Sequence, residues 1–298
     1  MKITAHPELR VESAELPLAL LDSRFPARAV ALAGGASVSV RSAGSEEAPT
    51  VVLLHGIGSG AASWLQCALV LAASARVIAW DAPGYGVSSP LTAVAPTAGD
   101  YAARLGELLA AMGVGSCVLV GHSLGALTAA ALAHGVGRPI VRRLVLISPA
   151  RGYGAADQAE VREQTRRNRL ETLRVRGVAG IADQAPSRML SARASDAARA
   201  WVRWNAAQLD PAGYAQAVEM LCSEDIERFA RLGVPVEVHV GAADVVTPPD
   251  ACRRIAERFG APFALLDDAG HASPVEQAEL VARVIARAIA QSASKEEA

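Results

Sequence analysis

From residue 50 onward, short apolar runs rich in β-branched residues alternate with longer stretches whose apolar positions recur every three or four residues. The runs fall at 51–54, 76–80, 117–120 and 141–147, and the helical patterns at 62–73, 100–112 and 124–133. The runs carry few charges, as expected of parallel strands covered on both faces. Repeated strand–helix units of this kind predict a parallel sheet with right-handed crossovers. Upstream, 29–32 and 37–41 flank Ala33-Gly34-Gly35-Ala36 and predict a hairpin. Residues 1–27 show no clear period and stay unassigned.

The rhythm breaks after Ser148-Pro149. Residues from about 152 to 225 are rich in Ala, Arg, Gln and Glu and contain no convincing strand. They predict several helices, with breaks near Gly177–Gly180, Pro186 and Pro211. Alternation then resumes with a strand at 236–240, a helix at 249–259, a strand at 263–266 and a terminal helix at 274–290, ahead of a frayed polar tail at 291–298. The prediction is an α/β core formed by residues 1–150 and 226–298, interrupted by a helical cap at 151–225.

Composition narrows the function classes. The 298 residues are 51% hydrophobic and 20% charged, which excludes disorder as a description of the whole chain. With 29 basic and 30 acidic side chains and no block of five like charges, neither nucleic acid nor an anionic membrane is expected as a partner. Residues 108–137 lack Asp, Glu, Lys and Arg and are long enough to span a bilayer. Gly113, Gly115, Gly121 and Gly125 interrupt them, however, and a helix–strand–turn–helix reading fits better. The N-terminus, with Glu8, Glu12 and Glu15, does not read as a secretory signal. Cys67, Cys117, Cys222 and Cys252 are scattered without a C-x-x-C pair, which argues against a zinc cluster or disulfide framework and favours a reducing compartment. A cytoplasmic location is the expectation.

Candidate chemistry begins at Gly121-His122-Ser123-Leu124-Gly125, a G-x-S-x-G match between a predicted strand and a predicted helix. A serine at such a turn has its hydroxyl exposed in a strained backbone conformation. The helix behind it brings N–H groups and positive dipole to the place where negative charge would develop. The bland alternative is a Gly/Ser loop that merely enters a helix. His55-Gly56-Ile57-Gly58 follows the strand at 51–54, at the carboxyl end where open α/β sheets place ligands. There the Ile57 N–H can pair with that of Leu124 to hold an oxyanion. His55 itself reads as structural, hydrogen-bonding the loop.

Ser123 needs a base, because a hydroxyl does not ionise usefully near neutral pH. Of the six histidines, His6 lies in the unassigned N-terminus, His55 in the first loop, His134 at a helix end and His239 inside a strand. His122 alternates to the other side of the turn. His271 follows a strand end and Gly270 and precedes the helix opened by Ser273-Pro274, which sets it at the same sheet edge as Ser123. For the orienting acid, Asp244 lies just beyond the strand at 236–240. Asp267 and Asp268 sit at a strand end, and Asp250 in a first helical turn, where an acid complements the dipole. Asp244 is favoured.

These segments resemble the α/β-hydrolase superfamily. Leu54-His55-Gly56-Ile57-Gly58, Asp81-Ala82-Pro83-Gly84-Tyr85-Gly86-Val87-Ser88, Gly121-His122-Ser123-Leu124-Gly125, Gly241-Ala242-Ala243-Asp244 and Gly270-His271 stand in that superfamily's order, over residues 28–150 and 226–290. Residues 225–276 are similar to the enol-lactonase and small-carboxylesterase branch. His-Ser-Leu-Gly-Ala around the serine differs from the Asn-Ser-Met-Gly-Gly common in carbon–carbon bond hydrolases, which lowers that subfamily. The resemblance implies a mostly parallel sheet flanked by helices, with a helical cap insertion. It further implies a serine hydrolase that needs no cofactor or metal, acting on a small ester, lactone or related carbonyl compound through Ser123, Asp244 and His271. The rival readings are hydrolysis of a carbon–carbon bond in a vinylogous diketone, and a ligand-binding protein without turnover.

Substrate choice falls to the cap. Trp201 and Trp204, three apart on a predicted helix, either line the roof of the pocket or pack the cap onto the core. Ten arginines between Arg162 and Arg203 suggest a carboxylate-bearing substrate, although neighbouring acids nearly balance them.

Overall fold

A computed structural model describes residues 17–135 and 140–293. A short helix, α1 (Leu18–Arg24), leads into the hairpin β1 (Ala27–Ala31) and β2 (Ser37–Ala43), which pair antiparallel with Ala29 opposite Ser39. There follow β3 (Thr50–Leu54), α2 (Leu65–Leu71), β4 (Arg76–Trp80), α3 (Ala98–Ala111), β5 (Ser116–His122), α4 (Gly125–His134) and β6 (Ile140–Ile147). Next come α5 (Ala159–Met189), α6 (Asp196–Ala207) and α7 (Pro211–Ser223), before β7 (Val236–Gly241), α8 (Pro249–Phe259), β8 (Phe263–Leu266), α9 (Ser273–Glu276) and α10 (Ala278–Ala293) close the described chain. The eight strands form one sheet in the order β1-β2-β4-β3-β5-β6-β7-β8. Pairing is antiparallel between β1, β2 and β4 and parallel from β4 to β8. The expected α/β-hydrolase architecture is the one observed.

Alternation along each strand sorts the core into two layers, because successive side chains point to opposite faces. Val52, Leu54, Leu119, Leu144 and Leu146 pack with α3, α4 and α8 on one face. Val51, Leu53, Val118, Val120 and Val145 pack with α2 and α10 on the other. The long uncharged stretch therefore resolves into the end of α3, all of β5 and α4, and no described helix is long and apolar enough to cross a membrane.

Helix boundaries follow local chemistry. α3 opens with a reciprocal cap: Thr97 Oγ1 accepts the Asp100 N–H while the Asp100 carboxylate accepts the Thr97 N–H. Asp210 caps α7 with Pro211 at its first position. In α5 the break falls at Gly177 (φ 61°), within the expected range, whereas Pro186 is carried inside the last turn rather than ending the helix. The terminal helix is two helices parted at Gln277, and α10 continues through residues 291–293 of the expected tail. Residues 1–16 and 294–298, including His6, lie outside the described residues.

Candidate active site

The turn from β5 into α4 leaves Ser123 with φ 53°, in the left-handed region that an L-residue enters only when its surroundings compel it. The compulsion is close packing. A Cβ on Gly125 would stand 2.6 Å from the Leu54 carbonyl oxygen, so only glycine lets α4 start against the end of β3. Ser123 donates its N–H to the Ile147 carbonyl at 3.0 Å and accepts from the Ala126 and Ala150 N–H groups at 3.1 Å each. The backbone is thus tied to β6, to α4 and to the loop after β6.

Three side chains from three strand ends meet here. The Ser123 hydroxyl lies 2.9 Å from His271 Nε2, and His271 Nδ1 lies 2.9 Å from Asp244 Oδ2. With Nδ1 donating to the carboxylate, Nε2 is left as the acceptor for the serine proton. Asp244 Oδ1 accepts the N–H groups of Val246 (2.8 Å) and Thr247 (2.9 Å), and the Thr247 hydroxyl donates to Oδ2 at 2.9 Å. Burial raises the pKa of this carboxyl. The hydrogen bond and charge of His271, with the Thr247 N–H, outweigh burial and hold it below the usual carboxylate value. All three side chains are buried. Asp267 and Asp268 instead face solvent, Asp268 pairing with Arg193 at 2.6 Å, and Asp250 is exposed in the first turn of α8.

The glycine loop after β3 lies directly over the serine. A Cβ on Gly56 would reach within 3.3 Å of Ser123 Oγ. Ile57 and Leu124 both line the cavity beside Ser123, and among the described residues neither amide N–H has an acceptor. Tyr85, from the loop after β4, donates its hydroxyl to the Ile57 carbonyl at 2.9 Å and steadies that turn. His55 is buried, its Nδ1–H bonded to the Gly56 carbonyl (2.8 Å) and its Nε2 accepting the Ala82 N–H (3.0 Å). Burial pushes its pKa down. It is a neutral brace between the two loops, as its position in the first loop suggested.

Two contributors were not legible in the sequence. His122 faces the His271 loop, and its Nε2–H donates to the His271 carbonyl at 2.8 Å, with ring centroids 5.0 Å apart. Burial first, then the neighbouring His271, drives its pKa down to about 3, so it stays a neutral donor. The Glu276 carboxylate accepts the Gly270 N–H at 2.8 Å and both the N–H and the hydroxyl of Ser191, joining the histidine loop to the chain leaving α5. No motif marks it, since its partner Ser191 lies 85 residues away.

Above the serine is a cavity of about 640 Å³, of the size that holds a small organic ligand. Its floor is Gly56–Gly58, Ser123, Leu124 and His271, and its walls come from α5, α7, the loop after β6, and α8 with the loop before it. Trp201 and Trp204 are not among the lining residues, which corrects their reading as pocket residues. They stack at 4.7 Å with planes 3° apart, Trp201 buried within the core layer that also holds α2 and α10 and Trp204 partly buried against that layer. Apolar burial claims Trp201, and Trp204 covers it.

A family model described as the alpha/beta hydrolase family matches residues 51–284. The chain belongs to that family. Among its relatives, a Stutzerimonas stutzeri protein with the provisional name carbamate hydrolase RutD is 27% identical over 248 residues, 78% of this chain and 88% of that one. An Escherichia coli protein of the same name matches over 87 residues only, 33% of its length. Among solved structures, an enol-lactonase from Burkholderia xenovorans LB400 superposes with a TM-score of 0.77 at 24% identity, covering 87% of this chain and 98% of that chain. A thermophilic esterase from Thermogutta terrifontis, solved with malate bound, gives 0.78 at 25% identity, covering 89% and 98%.

Proposed function

We propose that this alpha/beta hydrolase cleaves a small carboxylic ester or lactone through an acyl-enzyme on Ser123. The reading rests on one observation: an unbroken path at 2.9 Å and 2.9 Å from the Ser123 hydroxyl through His271 to Asp244, on the floor of a ligand-sized cavity. His271 Nε2 takes the serine proton as Oγ attacks the carbonyl carbon. The oxygen of the resulting tetrahedral species is received by the N–H groups of Ile57 and Leu124, which among the described residues have no other acceptor to give up. Asp244 keeps Nδ1 protonated, so the lone pair sits on Nε2, and it stabilises the imidazolium. His271 then gives its proton to the departing alkoxide. Water, deprotonated by the same nitrogen, releases the acid and restores Ser123.

The fold shared with an esterase and the provisional carbamate-hydrolase name of a relative support acyl chemistry. Residues 151–225 act in this reading as a cap that shapes the chamber, while the strand ends supply the reaction. Replacing Ser123 with Ala is expected to lower kcat for methyl and aryl esters by at least about 10⁴-fold. A fluorophosphonate is expected to label the parent protein stoichiometrically and the Ser123→Ala protein not at all. Undiminished turnover by the purified variant would remove the mechanism. Faster turnover of a ring-cleavage diketone than of any ester would replace it with carbon–carbon bond hydrolysis.

A further inference from the structure

The chamber above Ser123 is electrically one-sided. Its wall carries four arginines, Arg151, Arg169, Arg188 and Arg254, and one carboxylate, Glu227. Glu227 is engaged twice, at 3.2 Å from Arg151 and 3.2 Å from Arg258, and Arg151 also reaches Asp225 at 3.4 Å. Arg188 and Arg254 are exposed. Arg169 differs from both groups. It is half-buried on α5, its Nη1 donates to the Tyr214 hydroxyl of α7 at 3.2 Å, and among the described residues no carboxylate lies within 4.0 Å of it. Arg169 and Tyr214 line the same cavity as Ile57 and Ser123, so the guanidinium opens on the chamber that holds the nucleophile.

A guanidinium offers five N–H donors in a planar fork matched to a carboxylate, and among the described residues one contact is spent on protein. A partly desolvated cation beside an excess of like charge favours an anion from outside. We propose that Arg169 receives a carboxylate of the substrate, making the preferred substrates anionic: half-esters of dicarboxylic acids, or lactones that carry a free carboxylate. This rests on the ester or lactone reading of the same chamber. Tyr214 fixes the fork in place, and the exposed Arg188 and Arg254 at the wall add the field that draws an anion in.

The test compares monomethyl adipate with methyl hexanoate, equal in chain length and differing in a terminal carboxylate against a methyl, by pH-stat at low salt. The parent protein is expected to favour the half-ester in kcat/KM by about tenfold or more, a margin that shrinks as salt rises. Arg169→Met is expected to cut that ratio at least about tenfold. Arg169→Lys keeps part of it, because an ammonium retains the charge and loses the fork. A preference for the neutral ester, or a ratio unmoved by Arg169→Met, overturns the proposal. If neither ester turns over, the hydrolytic reading fails on its own, and the pairing is read by calorimetry of adipate with the Ser123→Ala protein. Binding weakened about tenfold by adding Arg169→Met supports the carboxylate site, and absence of adipate binding overturns it.

Discussion

The sheet and the helical segment between β6 and β7 are held by different means. In β5 six of seven residues are buried, whereas in the 31 residues of α5 only Ala182 and Ala185 are. The sheet is fixed by exclusion of water from both faces. The long α5 is largely wet, whereas α6 and α7 bury apolar faces, and the segment lands on the α/β core at a few places where backbone meets backbone. Gly213 of α7 is one: a Cβ there would stand 1.9 Å from the Gly84 carbonyl oxygen. In the mechanism proposed above the reacting side chains hang from the first region, and most of the chamber wall comes from the second. On that proposal reaction and substrate choice sit on separately adjustable parts, joined at landings that tolerate little change.

The sharpest break of this comparison sets one close approach against the other. In Gly125→Ala the new methyl has carbonyl oxygens of Leu54 and His55 at 2.6 and 2.7 Å, so the start of α4 must shift and carry Ser123 with it. A displacement of about an ångström at a reacting group costs on the order of a hundredfold, and kcat is expected to fall by at least that much. In Gly213→Ala the displaced element is α7, and steady-state kinetics are expected to show KM rising severalfold while kcat stays within about threefold. Equal damage to kcat by both variants would erase the distinction.

A smaller effect lies in acid. His122 is neutral in the fold down to about pH 3, whereas the unfolded chain protonates it below its ordinary value of 6.5. Between those limits the unfolded state binds more protons, so stability rises with pH and is lost as pH falls, by up to about 1.4 kcal/mol per pH unit for this group. Urea melts across pH 4–7 should show the slope, and His122→Gln should flatten it. Buried His55 contributes with the same sign and should leave a residue of slope in that variant. The smallest effect belongs to the wet region. Arg203 of α6 pairs with Asp183 of α5 at 2.6 Å, but both side chains are more than half exposed. Arg203→Ala is expected to change unfolding stability by less than about 1 kcal/mol in the same melts.

The core strands could be read from sequence because burial on both faces writes itself as uncharged β-branched runs. The turn at Ser123 could be read because its tight packing admits only glycine at Gly125. α1 could not, since seven residues with one buried side chain, Leu21, carry too little period to register. The tryptophan pair stayed open between lining and packing because helical spacing puts Trp201 and Trp204 on one face without saying what that face meets. His122 and Glu276 were silent for a related reason. Each matters through a backbone group distant in the chain, the His271 carbonyl for one and the Ser191 N–H for the other. Arg169 stood out among ten arginines that look alike in the sequence only once its half-burial, its bond to Tyr214 and its place on the chamber wall could be seen.

Glu276 makes the roof and the relay mechanically one piece. Its carboxylate grips the strap leaving α5 and the peptide next to His271, and the Ala272 N–H adds a second rivet to the Met189 carbonyl at 2.8 Å. A swing of that strap wide enough to part Ser191 from Glu276 tugs on the imidazole's own hinge, so the chamber cannot gape there without slackening the proton path beneath it.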